Sequence, residues 1–249
     1  MNKLETLSFK RDSIIPIDNK VLRNYIDEKK NYLLMKRIFD ILFSASFILM
    51  AGCWLFPLIG LIIWMDSKGP VLFIQRRVGK GGRSFNCIKF RTMVENVEAN
   101  NKQAEENDVR ITRIGKFLRN SSLDELPQFL NVFFGDMSIV GPRPHMHSDC
   151  IRFSNSVEGY KFRNFVKPGI TGLAQMKGFR GPTKNFESIF HRYQYDAFYV
   201  RNCNFWLDMR IIRKTAAQTV RFVFSKLKAD TSVVNVEIAK EELDYFNVS

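Results

Sequence analysis

Ile41 to Met65 read ILFSASFILMAGCWLFPLIGLIIWM, 25 residues without a charged side chain. How this run folds decides how the rest of the chain meets its surroundings. A helix needs roughly 20 apolar residues to cross a bilayer, so the length permits a full span. Pro57 interrupts the run, removing a backbone donor and crowding the preceding turn, so a kink is expected there. Basic residues flank both ends: Lys29, Lys30, Lys36 and Arg37 ahead, Arg76, Arg77, Lys80 and Arg83 behind. Positive charge favours the cytoplasmic face, and here both flanks carry it. A helix that enters the bilayer, bends at Pro57 and returns to the same face satisfies both, and this re-entrant form is the expected one. A straight span and a very apolar buried helix stay open as alternatives.

Working outward, 249 residues suffice for one domain with an appendage and a sizeable core. A formal charge of +13 calls for a polyanionic partner: nucleic acid, anionic lipid or a phosphorylated substrate. The 23 Phe suit base stacking as well as a membrane interface, so composition does not choose among these. Cys53, Cys87, Cys150 and Cys203 are scattered with no CxxC pair, which fits reduced thiols and not a zinc site or disulfide framework. The first thirty residues are polar and charged, without the apolar core of a signal peptide.

After the apolar run, VLFIQ (71–75) and SFNCIKF (84–90) read as two strands joined through Gly79-Lys80-Gly81-Gly82. Residues 94–108 form an acidic, helix-compatible stretch. Short helices are expected over 114–118 and from about 124 to 134, and Pro142, Pro144, Pro168, Gly169 and Gly172 punctuate loops. Phe186, Phe190, Tyr193, Ala197 and Val200 recur at helical spacing, and a further helix is expected over 206–224. The mixture of Arg192, Tyr199, Arg201, Trp206, Arg210, Arg213 and Lys214 suits a helix resting on a bilayer surface, and equally ordinary core packing. The expected organisation is a polar leader over 1–33, a membrane helix over 34–66, a catalytic domain over 67–224 and a charged tail over 225–249.

Chemistry concentrates in Ser121–Pro144, SSLDELPQFLNVFFGDMSIVGPRP. Ser122 to Glu125 matches a capping box, which would make Asp124-Glu125 a helix start and nothing more. Pro127 would then fall where its missing N–H breaks an intrahelical bond. Starting the helix at Asp124 places Pro127 in the first turn and stands both acids at a positive helix end near Arg119. Arg119 and the dipole would hold Asp124 ionised, as a nucleophile or magnesium ligand requires. On these residues alone, capping and catalysis weigh evenly.

Lys89 and Arg91 would share one face of an alternating strand, suited to gripping a diphosphate, or simply forming a solvated basic edge. Arg110, Arg113, Lys116 and Arg119 repeat every three residues, usually the mark of a solvated helix face. The Gly79–Gly82 loop lacks the spacing of a phosphate-binding fingerprint and reads as a hairpin turn. His145 and His147 have the look of a metal pair, but no further Cys or His lies near to complete a zinc site.

Taken in order, KRIFDILFSASFILM, GPVLFIQRRVGKGGRSFNCIKFRTM, DVRITRIGKFLRNSSLDELPQFLNVFFGDMSIVGPRP and KPGITGLAQMKGFRG resemble the bacterial sugar transferases, the polyprenyl-phosphate glycosyl-1-phosphate transferases. The resemblance covers Lys36 to Thr215, and its specific part is SLDELPQ with GDMSIVGPRP. It implies a mostly helical α+β fold: a re-entrant membrane helix, and a cytosolic catalytic domain with a small β-hairpin and interfacial amphipathic helices. It also implies an enzyme at the bacterial inner membrane that moves a sugar-1-phosphate from a UDP-sugar to undecaprenyl phosphate and releases UMP, starting polysaccharide synthesis. By the same resemblance Asp124 is the nucleophile and the Mg²⁺ ligand, and Glu125 the supporting acid/base or metal-side carboxylate. Arg119, Arg143 and Arg180 are phosphate or nucleotide contacts, with Lys89 and Arg91 near the same pocket.

Val109 stands where that family's pattern has proline, and Asn120 where a basic residue is common. GFRG at Gly178–Gly181 is similar to the longer hexose-phosphate transferases, pointing to a hexose such as glucose or galactose. The four-helix membrane region of those larger enzymes has no counterpart ahead of Ile41. The expected partners are therefore the UDP-sugar, undecaprenyl phosphate and inner-membrane lipids, with room for a homodimer and no nucleic acid. Two competing readings are a membrane-anchored nucleic-acid binder, indifferent to Asp124→Asn, and a catalytically silent scaffold of a polysaccharide assembly complex.

Overall fold

A computed structural model describes residues 19–94, 108–179, 181, 186–222 and 224–225. The acidic stretch beyond Val94 and the charged tail from 226 lie outside the described residues. The chain opens with α1 (Asn19–Glu28) and α2 (Lys30–Phe47), passes through a π-helical turn (Ile48–Gly52) and continues as α3 (Cys53–Asp66). The apolar run thus lies on one helical stretch, Lys30–Asp66, 37 residues long and apolar enough to cross a membrane.

The departure from α geometry lies at 48–52, a turn ahead of Pro57. Pro57 offers no N–H to the carbonyl four residues back, and the backbone widens before it. Cys53 Sγ and the Trp54 indole donate to the carbonyls of Leu49 (3.0 Å) and Met50 (2.9 Å), satisfying backbone oxygens in apolar surroundings. Leu49, Met50, Trp54, Leu61, Trp64 and Met65 are exposed, an apolar band that no described residue covers.

Both halves of this long helix are fastened to the same polar unit. On α2, Arg37 donates to the carbonyls of Val132 (2.6 Å) and Phe133 (2.8 Å), and buried Asp40 accepts from Ser138 Oγ and Ile139 N. Lys36 pairs with Asp208 at 2.6 Å. On α3, Ile59 and Ile63 are buried with Phe90 and Leu118, each worth roughly 2 kcal/mol of apolar burial. Just past α3, Arg91 donates to the carbonyls of Ser67 and Lys68.

The hairpin expected from the sequence pairs β1 (Leu72–Val78) with β2 (Ser84–Phe90), antiparallel from Leu72↔Phe90 to Val78↔Ser84. Its turn uses the glycines: Gly81 (φ 66°) and Gly82 (φ 79°) sit where L side chains are strained. Then come α4 (Arg113–Ser121), a 3₁₀ turn (Leu123–Glu125), α5 (Gln128–Phe134) and β3 (Ser138–Val140). After them lie α6 (His147–Ser156), a 3₁₀ segment (Tyr160–Phe165), β4 (Gly169–Thr171), α7 (Leu173–Met176), α8 (Phe186–Asn202) and α9 (205–222).

β3 and β4 form a parallel pair, Ser138↔Gly169 and Val140↔Thr171, which three-residue strands without periodicity did not announce. The main core gathers Phe129, Val132, Met137, Val140, Tyr199, Val200 and Ile211 around this pair. The aromatic and basic mixture of α8 and α9 divides. Arg192 and Tyr199 turn inward, while Trp206, Arg210, Arg213 and Lys214 face out.

Candidate active site

Asp124 and Glu125 stand on the tight turn between α4 and α5. Thr112 caps the start of α4 by accepting from the Gly115 N–H (2.9 Å). The helix stops at Ser121 because Ser122 adopts a left-handed conformation (φ 61°), alone among the described non-glycine residues. That conformation costs on the order of 1 kcal/mol in a non-glycine residue, the kind of strain that collects at functional sites. Ser122 makes no side-chain capping bond, so the capping box suggested by the sequence does not form. Pro127, lacking an N–H, precedes α5 at a position that needs no donor. The two acids therefore project from a 3₁₀ turn and not from the start of a longer helix.

Their environments differ sharply. Glu125 is buried and accepts from Lys89 Nζ at 2.7 Å and from both terminal nitrogens of Arg143, at 2.6 and 3.1 Å. Burial alone would raise its pKa, but the charges of Arg143 and Lys89 prevail and hold the carboxylate well below its usual range. Asp124, half-buried, has no hydrogen-bond partner among the described residues. Burial first, then the adjacent Glu125 charge, push it up to about 6 against the pull of Lys89, Arg143 and Arg119. From the sequence, Arg119 and a helix dipole are expected to hold Asp124 ionised; in the structure Lys89 and Arg143 pair with Glu125, and Arg119 acts on Asp124 through its charge, from a 3₁₀ turn and not a helix start.

The expected site residues separate into groups. Lys89, Arg143, Asp124 and Glu125 come together. Arg119 borders them through its charge, while its Nε donates to Thr92 Oγ1 (2.7 Å) and a terminal nitrogen to Met93 Sδ (3.2 Å). Arg91 does not join: β2 ends at Phe90, the alternation stops, and the guanidinium is buried against Ser67 and Lys68 at the end of α3. Arg180 lies outside the described residues. His145 bonds Tyr160 Oη (2.5 Å) and His147 bonds Ser84 Oγ (2.7 Å), so neither stands as a ligand pair.

Asn131 is a site residue that sequence reasoning passed over. Buried on α5, it accepts from the Ile88 N–H (2.9 Å) and donates to the Asn86 carbonyl (2.7 Å). It ties β2 to α5 and so sets Lys89 against Glu125. Its one signal was a lone amide in the apolar run FLNVFF.

Among the described residues, no group of three or more His, Cys, Asp or Glu forms a ready cage for a metal. The donor set does suit magnesium, which typically takes one or two carboxylates and completes its shell with water and substrate phosphates. Asp124, half-buried and without a hydrogen-bond partner among the described residues, offers such a carboxylate.

A helix-rich α+β unit that grips a long apolar helix and carries two adjacent acids on a tight turn, one of them ion-paired, is the class of protein that fold and site define. The chain belongs to the bacterial sugar transferase family, whose model matches residues 31–222. It is 46% identical over 182 residues to a UDP-glucose:undecaprenyl-phosphate glucose-1-phosphate transferase of Klebsiella pneumoniae, covering 72% of this chain and 39% of that one. It is 44% identical over 209 residues to a protein of the same name from Xanthomonas campestris pv. campestris, covering 83% of this chain and 43% of the relative. The chain thus spans about two-fifths of the length of these two curated relatives. A third, the exopolysaccharide production protein PSS of Rhizobium leguminosarum bv. phaseoli, is 44% identical over 185 residues, 72% of this chain and 92% of that one.

Proposed function

We propose that this chain transfers a hexose-1-phosphate from a UDP-sugar to undecaprenyl phosphate and releases UMP. The observation that carries the reading is the contrast within the dyad: Glu125 is ion-paired with Lys89 and Arg143, while Asp124 beside it has no partner among the described residues. A carboxylate with a pKa near 6 is ionised at neutral pH and more basic than an ordinary aspartate, which suits a nucleophile. The names of the relatives support the two substrates, glucose being the sugar in the first two.

In this mechanism an Asp124 oxygen attacks the phosphorus that bears the sugar. The bond from that phosphorus to the bridging oxygen breaks, and UMP leaves with that oxygen. A phosphate oxygen of the lipid then attacks the same phosphorus and displaces Asp124, restoring the carboxylate and yielding a lipid diphosphosugar. Lys89 and Arg143, anchored by Glu125, lower the repulsion between the carboxylate and the diphosphate, and Arg119 adds charge from the α4 side. Mg²⁺ bound by Asp124 and the substrate phosphates would supply further neutralisation.

The helix over Lys30–Asp66 is read as re-entrant, with the catalytic unit on the cytoplasmic side of the inner membrane. What supports this is that Lys36, Arg37 and Asp40 at one end, and Ser67 and Lys68 beyond the other, bind the same unit. Cysteines introduced near Glu28 and Ser67 should both resist a membrane-impermeant maleimide added to intact cells. Labelling at either end sinks the re-entrant form.

Intact-protein mass after incubation with Mg²⁺ and a panel of UDP-sugars, without lipid, tests the chemistry. A sugar-phosphate increment in the wild type and none in Asp124→Asn is expected. If neither an adduct nor lipid-dependent release of UMP is detected with any donor, the transferase reading fails and the silent scaffold takes its place.

A further inference from the structure

Arg143 reaches Glu125 from a turn, Pro142 to His145, that cannot brace itself. Two of its four residues are prolines without an N–H, so the turn is short of its own donors. Its four consecutive carbonyls are each held from outside. Gly169 N donates to Pro142 O (3.0 Å) and Val78 N to His145 O (3.0 Å). Between them, Arg163 donates to Arg143 O (2.6 Å) and Arg77 to Pro144 O (3.1 Å).

The two central braces are thus guanidinium groups, and Arg163 is an unusual one. It is 2% exposed, and its Nε and one terminal nitrogen both donate to Asp196 Oδ2, at 3.0 and 2.9 Å. That same terminal nitrogen holds the Arg143 carbonyl, and the guanidinium lies 5.3 Å from the centre of the Tyr160 ring. Burying such a pair has a desolvation cost of several kcal/mol, and well-packed apolar side chains often serve stability as well or better. What an apolar pair cannot supply is a donor fixed at the carbonyl of the residue that grips Glu125.

We propose that Arg163, aimed by Asp196 and assisted by Arg77, is a positioning residue of the active site. It fixes the Pro142–His145 turn so that the Arg143 guanidinium meets Glu125 in two-pronged register beside Asp124. None of the three touches the reacting atoms. The line of contact runs from α8 through the 3₁₀ segment to the turn and into the dyad.

The test uses the full chain in lipid nanodiscs and two readouts. One, which rests on the transferase reading, is UMP release with UDP-glucose and undecaprenyl phosphate. The other is hydrogen exchange at the Val78 and Gly169 amides, the outer braces of the turn, with the α4 amides as reference. Arg163→Met should lower kcat by about 30- to 100-fold with the donor KM within about threefold. It should also speed exchange at Val78 and Gly169 at least about tenfold, leaving α4 unchanged. Arg163→Lys keeps the charge but not the planar fork, and should not restore kcat.

Arg77→Gln, on the less buried brace, should give the same pattern at about 3- to 10-fold, and it decides the matter should the Arg163 variants not fold. A lower Tm with kcat and both exchange rates at wild-type values overturns the proposal. Wild-type protein that releases no UMP overturns the transferase reading instead, and the exchange rates then decide the brace alone.

Discussion

Two neighbouring acids with opposite environments should show opposite effects on stability. Asp124 has its pKa raised to about 6 in the folded protein by burial and by Glu125. A raised carboxylate favours folding below its unfolded pKa, and that contribution is lost as pH climbs towards 6. At pH 7.5, without metal or substrate, Asp124→Asn should therefore raise Tm, by about 1–2 kcal/mol in stability, while abolishing turnover. The gain should fade as pH falls from 6 towards 4, and a calorimetric series over that range checks it. Glu125 is held low by Arg143 and Lys89, so its ionised form stabilises the fold. Glu125→Gln strips two largely buried cations of their partner and should cost about 3 kcal/mol at the same pH. Equal signs for the two substitutions would contradict the division of labour within the dyad. Turnover should also decline on the acid side as pH drops through about 6, because the protonated carboxyl is no nucleophile.

At the scale of elements, the end of α3 and the β3–β4 pair set the frame. Arg91 binds the carbonyls beyond α3 and stands apart from the dyad. Arg91→Met should lower stability by about 2 kcal/mol, since it removes the charged hydrogen bonds that tie the carbonyls of Ser67 and Lys68 to the end of β2, yet leave the donor KM within twofold. A large rise in KM with stability intact would return Arg91 to the substrate. In the parallel pair, β3 and β4 approach so closely that a Cβ on Gly169 would lie 2.1 Å from Gly141 N. Gly169→Ala must push the strands apart and disturb the brace on Pro142, so it should cost both stability and kcat, read by thermal melts and UMP release. The hairpin was legible beforehand because seven-residue strands between glycines carry a clear pattern. β3 and β4 were not, since three residues carry none.

For the whole molecule, the exposed apolar band on the long helix and the outward face of α9 are the surfaces left for a bilayer. The chain's three tryptophans sample them: Trp54 and Trp64 lie on α3, and Trp206 on α9. With single-tryptophan variants in vesicles, deeply brominated lipids should quench Trp54 most. Trp206 should respond only to bromines near the headgroups. Absence of quenching at Trp54 would mean that another protein, and not lipid, covers the band.

From the sequence come the apolar run with its two basic flanks, the hairpin, the amphipathic pattern of α8 and the dyad with its Pro142-Arg143-Pro144 turn. Each is a local pattern, set by side-chain period, turn chemistry or adjacent residues. Only the tertiary structure decides which acid is ion-paired, because that depends on Lys89 and Arg143 arriving from distant segments and choosing Glu125. In the same way it sends Arg91 to α3, makes Asn131 a tie between β2 and α5, and sets Arg163 behind Arg143. Those assignments follow from where buried charges and backbone carbonyls meet in space, and spacing along the chain does not encode such meetings.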